Sequence, residues 1–428
     1  MRQLAGTGMH RATIDQRADA QPLAKSGYPR LMPELLITLL TISVVVGAIP
    51  GVCNYLILLE RKLSAWMQDR IGPNRVGPMG LFQPLADGIK LLLKEDVIPP
   101  HVDKVLFLIA PAISVFTAML AFAVVPFGPV NDATVPAFIR FIIAPNIDIG
   151  LIFIFAIGSL GVYGVVLGGW ASNNKYSALG AMRASAQVVS YEIPLGMSVL
   201  GIALLSGTLN LEKIMQLQTD GGLLSWNIWF QPLAAIMFFT ASLAEANRLP
   251  FDLAECEQEL IGGWHTEYSA LKWALFFLGE YTHMITISFL TSILFLGGWS
   301  FPFIAEASSA YPGLWLVKLL ILSGKAFFFL CMMIMLRWTI PRFRFDQLME
   351  LAWKVMIPLS LANLVMVMFC KHFGFSQWWL LVGSIALFAA WGTISARLRE
   401  AELAERPGYV KRKKVVPAAV HAGHGAHH

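Results

Sequence analysis

Four acidic side chains lie close together in one short segment, where they could store and exchange protons. They are Asp252, Glu255, Glu257 and Glu259. Asp252, Glu255 and Glu259 follow steps of three and four, which would place them on one face of a helix. Crowded carboxylates repel one another when ionised, so some of them should hold protons near neutral pH. The segment is either a proton reservoir or a solvated acidic loop.

Further ionisable residues interrupt runs of apolar sequence. They are Glu192, Glu245, Glu280, His283, Lys318 and Lys325. A charge near the middle of a bilayer costs about 3 kcal/mol or more. One such residue alone could form a structural ion pair, and His283 could equally be an interior histidine with its hydrogen bonds satisfied. A whole set on neighbouring helices instead predicts a shared polar interior that carries protons or ions.

A charged segment with two Gly-Pro pairs precedes an amphipathic stretch. Glu60-Arg61-Lys62 is followed by Gly72-Pro73 and Gly77-Pro78, which predict a rigid turn. Between residues 81 and 94, polar residues recur in steps of four, three and four, at Gln83, Asp87, Lys90 and Lys94. This spacing predicts a helix with one apolar face, lying in the membrane interface or packed on its own protein.

Composition indicates which solvent these elements need. Hydrophobic residues make up 56% of the 428 and charged residues 14%, whereas soluble domains contain about 25% charged residues. We therefore predict an all-α, polytopic integral membrane protein with about nine transmembrane helices and one interfacial helix. The predicted spans are 33–59, 104–126, 149–170, 182–206, 228–246, 271–297, 313–338, 352–370 and 376–396. Pro358 should kink the eighth span. The modest net charge of +5 gives no indication of nucleic-acid binding.

Basic residues predict the orientation. Of the 32 lysines and arginines, 22 fall on one side of the nine spans, and that side should face the cytoplasm. The N-terminus then lies outside and the C-terminus inside. We expect one transmembrane domain over 33–397, a flexible extension at 1–32 and a basic, histidine-rich tail at 398–428. The charged loops of this transmembrane domain on the predicted cytoplasmic side are 60–104, 171–183, 247–271 and 339–351.

The four cysteines give no sign of a metal or cluster site. Cys53, Cys256, Cys331 and Cys370 are far apart in sequence and form no C-x-x-C motif. Zinc and iron–sulfur ligands usually occur at closer, motif-like spacings. We expect these cysteines to act as small apolar residues.

Four long motifs resemble the H subunit of respiratory complex I, the counterpart of mitochondrial subunit 1. The first comprises Glu60-Arg61-Lys62 with residues 72–78 and 83–95, and the second comprises residues 169–177 with Arg183, Gln187 and 190–192. The third comprises residues 248–259 with 267–269, and the fourth 341–344 with 346–349. They occur in the family's order, and the similarity extends from about residue 33 to about residue 370. Ala254 stands where the family commonly has proline, and Ala270 where it commonly has glycine or serine.

The resemblance implies a membrane subunit of a proton-pumping NADH:quinone oxidoreductase in the bacterial inner membrane. Its positions on the quinone tunnel would be Glu60, Arg61, Asp87, Lys90, Arg248 and Phe251. Its proton path would run through Glu192, Glu245, Glu255, Glu257, Glu259 and Glu280. Quinone, either ubiquinone or menaquinone, would be the substrate, while flavin and iron–sulfur clusters would belong to partner subunits. Those partners would be the peripheral-arm subunits and the small A, J and K subunits of the membrane arm.

Three other interpretations share parts of these observations. The membrane subunit of an energy-converting hydrogenase or formate hydrogenlyase would have a similar fold and proton role without quinone. A secondary transporter would be expected to show inverted repeats, and the sequence contains none that we detect. A purely structural anchor for a peripheral arm would need the loops but not the buried carboxylates.

Overall fold

Helices make up most of the chain that the computed structural model describes, which is residues 31–129, 135, 141–252, 262–302, 304–305 and 313–405. No strand occurs within these ranges, where the only β-pairing is an isolated bridge between Phe301 and Ala305. The helices are α1 (Leu31–Met67), α2 (Gln83–Leu93), α3 (Lys104–Ala121), α4 (Gly150–Ala171), α5 (Lys175–Ser206), α6 (Leu211–Asp220), α7 (Asn227–Phe230), α8 (Pro232–Glu245), α9 (Ala270–Phe295), α10 (Leu314–Thr339), α11 (Phe345–Glu350), α12 (Ile357–His372) and α13 (Trp378–Glu405).

Each predicted span overlaps a helix, and the prediction of an all-α polytopic membrane protein is confirmed. Seven helical segments of the described chain are long and apolar enough to cross a membrane. The other two predicted spans are α8, which has only 14 residues, and α9, which has 26. Lys272, Glu280 and His283 interrupt the apolar sequence of α9.

Several helix boundaries differ from the sequence prediction, among them the ends of α1 and α3, and three of the differences have identifiable reasons. Residues 171–183, predicted as a loop, are mostly helical, because Asn174 Oδ1 accepts a hydrogen bond from Tyr176 N at 3.0 Å and starts α5 at Lys175. The predicted span 228–246 is broken before Pro232, where α8 begins. A π-helical turn, Leu351–Met356, joins α11 to α12 immediately before Pro358, which lacks the N–H that a regular helix needs.

The predicted amphipathic segment is helix α2. Its apolar face is open, with Leu85 64% and Leu93 81% exposed. Its polar face carries Asp87, whose carboxylate meets Arg61 of α1. The helix therefore joins α1 through its charged side and leaves its apolar side for lipid or another subunit.

The main core is built on α5, α8 and α9, whose buried side chains include Tyr191, Phe238 and Phe295. A second, smaller cluster holds the turn Gly263–His265. There Trp264 packs edge-on against Phe276 with ring centroids 4.4 Å apart. A Cβ atom at Gly180 would lie 2.6 Å from Trp264 N, so only glycine permits this close approach of α5 to the turn.

Helix α1 lies at the edge of the bundle. Only 11% of its most apolar window is buried inside the protein. One of its faces borders an apolar groove of about 1340 Å³ shared with α9 and α10. The opposite face lines two smaller cavities toward α2 and α9. Helix α1 is therefore a wall between a lipid-compatible groove and the charged region described next.

Candidate functional site

A buried carboxylate, Glu60 of α1, is the centre of the site. It is 7% exposed. Arg248 Nη1 lies 3.4 Å from Glu60 Oε2, and the Tyr281 hydroxyl donates to the same oxygen at 2.5 Å. Arg337, at the end of α10, pairs with Glu60 Oε1. Four distant parts of the chain thus meet at one acidic side chain.

The charges of this cluster do not cancel. Two guanidinium groups face the single carboxylate of Glu60, which alone does not balance them. The Arg248 guanidinium also lies 4.2 Å from the centre of the Tyr281 ring. Arg248 Nε and Nη2 and Arg337 Nε are buried without a hydrogen-bond acceptor among the described residues. The cluster therefore retains donor capacity for an anionic or carbonyl-bearing group.

Arg248 remains charged in this setting. Burial alone would lower the pKa of Arg248, but its interactions with Tyr281, Glu60 and Glu280 outweigh that effect and raise the pKa above its usual value. Glu280 lines a different cavity, on the other side of α9 from Glu60, which is described below. Arg248 therefore interacts electrostatically with carboxylates on both sides of α9.

Asp87 of α2 forms a second charged group beside the first. Arg61 Nη1 lies 2.6 Å from Asp87 Oδ2, and Gln83 Nε2 donates to Asp87 Oδ1 at 3.1 Å. Lys90 Nζ is 3.8 Å from the same carboxylate. These contacts fix α2 against the charged end of α1.

Two adjoining cavities open between α1, α2, α9 and α10. The larger, about 690 Å³, is bordered by Glu60, Arg61 and Arg337. The smaller, about 230 Å³, is bordered by Asp87 and Lys90. Both have Ile57, Arg61, Trp273, Phe277 and Tyr281 in their walls. Flat aromatic walls with a few charged groups suit a planar polar headgroup attached to an apolar chain.

A separate cavity of about 100 Å³ lies on the other side of α9, and we call it the polar cavity because Glu245, Glu280 and His283 are among its lining residues. His283 Nε2 is 3.3 Å from Glu245 Oε1, and Glu280 lines the same space. A Cβ atom at Gly158 of α4 would lie 3.4 Å from Glu245 Oε1, so the carboxylate approaches α4 where a side chain is missing. Glu192 of α5 accepts a hydrogen bond from Ser159 of α4. Glu245 and His283 are close enough to exchange a proton.

The acidic segment with Glu255, Glu257 and Glu259 lies outside the described residues. The backbone that leads into it is well anchored. Gln187 Nε2 donates to the carbonyls of Ala244 at 2.9 Å and Phe251 at 2.8 Å. Asp252 lies 3.8 Å from Arg342 in the loop after α10.

Four of the six predicted tunnel residues line the two adjoining cavities, and two do not. Glu60, Arg61, Asp87 and Lys90 border the two adjoining cavities. Arg248 contacts Glu60 but is not among the residues that line these cavities. Phe251 is 2% exposed and packs between Tyr191 and Phe343, with ring centroids 5.4 and 5.7 Å away. Its side chain therefore supports the loop and is absent from the described cavity walls.

Sequence reasoning missed three members of the site, Arg337, Tyr281 and Trp273. Arg337 sits at the end of an apolar span, where a basic residue is ordinary. Tyr281 and Trp273 are aromatic residues within another span. Their approach to Glu60 depends on how α1, α9 and α10 pack, and no local spacing signals it.

Ala270 has an unusual backbone conformation. Its φ is +51°, a left-handed conformation that glycine adopts without strain. This accounts for the glycine common at this position in the family that the motifs resemble.

Among the described residues, no group of three or more His, Cys, Asp or Glu could hold a metal ion.

The fold and the site define a helical integral membrane protein that keeps charged residues paired in its interior. Residues 39–368 match the family model described as NADH dehydrogenase. Relatives named as H subunits of NADH-quinone oxidoreductase include one from Thermomicrobium roseum, 45% identical over 77% of this chain and 94% of its own. The one from Leptospira biflexa is 50% identical over 72% of this chain and 87% of its own. That from Koribacter versatilis, an H subunit whose name carries the number 2, is 47% identical over 77% and 96%. The chain belongs to this family of complex I membrane subunits.

Proposed function

We propose that this chain forms the membrane part of the quinone tunnel in a proton-pumping NADH:quinone oxidoreductase. In this proposal it couples quinone reduction to proton translocation through buried glutamates. The two adjoining cavities support the quinone role. Their aromatic walls suit the ring, Arg61 and Arg337 suit its carbonyl oxygens, and the open apolar face of α2 suits an isoprenoid tail.

One observation carries the coupling proposal. Glu280 and Tyr281 are consecutive residues of α9, yet Glu280 lines the polar cavity and Tyr281 lines the two adjoining cavities. Tyr281 also donates to Glu60. A charge change on one side of α9 is therefore separated from the glutamates on the other side by the thickness of a single helix.

The energy available is large enough for this purpose. Reduction of a quinone places transient negative charge on its headgroup before protons arrive. Across the thickness of a helix, about 10 Å, and at an effective dielectric constant near 20, two unit charges interact by about 1.7 kcal/mol. This corresponds to a pKa change of about one unit. Such a change is sufficient to alter which carboxyl group holds a proton.

The proton path of the proposal begins at the acidic loop and continues inside the bundle. Glu255, Glu257 and Glu259 would exchange protons near the cavity. Glu280, Glu245 and Glu192 would then carry them along α9, α8 and α5. His283, 3.3 Å from Glu245, is positioned to take part in the relay.

A substitution on this path tests the coupling. Glu245→Gln in the intact complex should lower both quinone reduction and the number of protons moved per electron, because the side chain can no longer exchange a proton. Glu350→Gln is a matched control, since Glu350 is 61% exposed and pairs with Lys354 along its own helix segment. A normal proton-to-electron ratio in Glu245→Gln would instead indicate a structural anchor.

Photolabelling tests the quinone role separately. An azido-quinone should label a peptide from α9, because Trp273, Phe277 and Tyr281 line both cavities, and excess substrate quinone should prevent the labelling. Labelling that excess quinone does not reduce would favour a hydrogenase-type subunit that uses no quinone.

The chain would lie in the bacterial cytoplasmic membrane with its N-terminus outside and its C-terminus in the cytoplasm. The peripheral-arm subunits would cover the charged ends of α1 and α2 and supply the flavin and iron–sulfur clusters. The small A, J and K subunits of the membrane arm would continue the proton path.

A further inference from the structure

The carboxyl end of α9 is unwound in an unusual way. Gly297 and Gly298 follow the helix with φ values of +64° and +55°. This turn directs several backbone carbonyl groups away from the regular hydrogen-bond pattern. Carbonyl groups at a helix C-terminus carry partial negative charge.

One ammonium group satisfies three of these carbonyls. Lys325 Nζ, from α10, donates to Leu296 O at 2.7 Å, Gly298 O at 2.9 Å and Ser300 O at 2.7 Å. It also lies 4.3 Å from the centre of the Trp226 ring. Three carbonyl oxygens and an aromatic face are a complete set of partners for an ammonium ion.

The surrounding side chains hold this nest in shape. Gln218 Nε2 donates to Ile293 O at 2.9 Å, and Gln218 Oε1 accepts from Gly297 N at 3.1 Å. Asn227 Nδ2 donates to Leu294 O at 2.8 Å. Trp226 Nε1 donates to Ser300 Oγ at 3.2 Å. Residues of α6, α7 and the segment before α7 thus hold the neighbouring backbone, whereas Lys325 holds the carbonyl groups of Leu296, Gly298 and Ser300.

The position of this nest is informative because of what α9 carries. The same helix presents Glu280 and His283 to the polar cavity and Tyr281 to Glu60. A cation at the end of a helix stabilises its last turn by interacting with the helix dipole. Inside a membrane protein this interaction is poorly screened by water.

We propose that Lys325 is a positioning residue that acts as a tethered cation. Its ammonium group fills a carbonyl nest at the end of α9 and so fixes the height and rotation of that helix. The carbonyl nest thus binds a primary ammonium group, which Lys325 supplies. The expected effect on turnover rests on the proposed function, whereas the expected effect on the order of the helix end does not.

Chemical rescue in the detergent-solubilised complex tests this proposal, since no proton gradient is then present for an amine to dissipate. Lys325→Ala removes the atoms of a propylammonium ion. The variant should reduce quinone several-fold more slowly and should exchange amide hydrogens faster around residues 293–300. Propylammonium should restore both properties, and it should leave the wild-type complex unchanged.

Tetramethylammonium is the matched control, because it carries the same charge but has no N–H group to donate. Equal recovery with both ions, or exchange in Lys325→Ala as slow as in wild type, would overturn the cation nest. Recovery of exchange without any initial loss of turnover would overturn the positioning role. If Lys325→Ala does not assemble, Lys325→Arg should retain more activity than Lys325→Gln, and the reverse order would overturn the proposal.

Discussion

Two arginines from distant parts of the chain reach Glu60, and their charges make this residue's contribution testable. Glu60 pairs with both Arg248 and Arg337. Its removal would leave the buried Arg248 and the half-buried Arg337 close together without this carboxylate between them. Loss of Arg337 alone would leave a balanced pair with Arg248. The two substitutions should therefore differ although both remove one charge.

Glu60→Gln should lower the stability of the subunit by about 3–5 kcal/mol, the usual range for breaking a buried ion pair. Arg337→Gln should have a smaller effect. The midpoint of thermal unfolding in the purified complex measures both. Glu350→Gln, at an exposed pair that contributes about 0–1 kcal/mol, is the control. Equal midpoints for the Glu60 and Glu350 variants would contradict the charge argument.

Gly158 sets the space available to the Glu245 carboxylate. In Gly158→Ala the added Cβ would only touch Glu245 Oε1, at 3.4 Å, so activity should be nearly normal. Gly158→Leu should displace the carboxylate from His283 and reduce proton pumping strongly. Pumping assays in proteoliposomes compare the two variants, with the alanine form as the matched control. Similar pumping by both would show that the Glu245 position is unimportant.

At the scale of elements, the turn Gly263–His265 joins the acidic loop to α9 and carries a pH-sensitive group. Burial lowers the pKa of His265 to about 4, below the ordinary value of about 6.5. The folded state therefore favours neutral histidine. Its contribution to stability is fully present above pH 6.5 and is lost as the pH falls toward 4, because the unfolded chain binds the proton first.

The wild-type complex should thus lose more thermal stability between pH 7 and pH 5 than His265→Gln, which cannot take up that proton. Differential scanning fluorimetry at several pH values measures the difference. The wild type at pH 7.5, where both forms are neutral, provides the reference. Parallel pH curves for the two proteins would mean that His265 does not titrate in this range.

Sequence patterns predict the positions of most helices but not the tertiary contacts between them. Apolar runs located every long helix, and the spacing of Gln83, Asp87 and Lys90 located α2. The sequence pattern does not locate the start of α5, because the charges of Lys175 and Arg183 suggest a loop although Asn174 caps a helix there. Arg337 and Tyr281 were missed because their approach to Glu60 depends on tertiary packing, which leaves no periodic signal in the sequence.

At the scale of the whole molecule, the asymmetry of basic residues predicts the orientation. Ser376, in the exposed turn between α12 and α13, should face outward. Ser376→Cys should therefore react with a membrane-impermeant maleimide in intact cells. Glu350→Cys, on the opposite side, should react only after the membrane is opened, and the unmodified chain gives the background from its native cysteines. The opposite labelling pattern would invert the topology.

Helix α1 has an apolar groove on one face and charged cavities on the other, and little of its apolar stretch is buried inside the protein. Lateral pressure in the bilayer therefore acts on the same helix that carries Glu60 and Arg61. Changes in lipid chain length or in growth temperature should be transmitted to the width of those cavities. Residues on the lipid-facing side, such as Val44 and Val52, would then affect an interior they never touch.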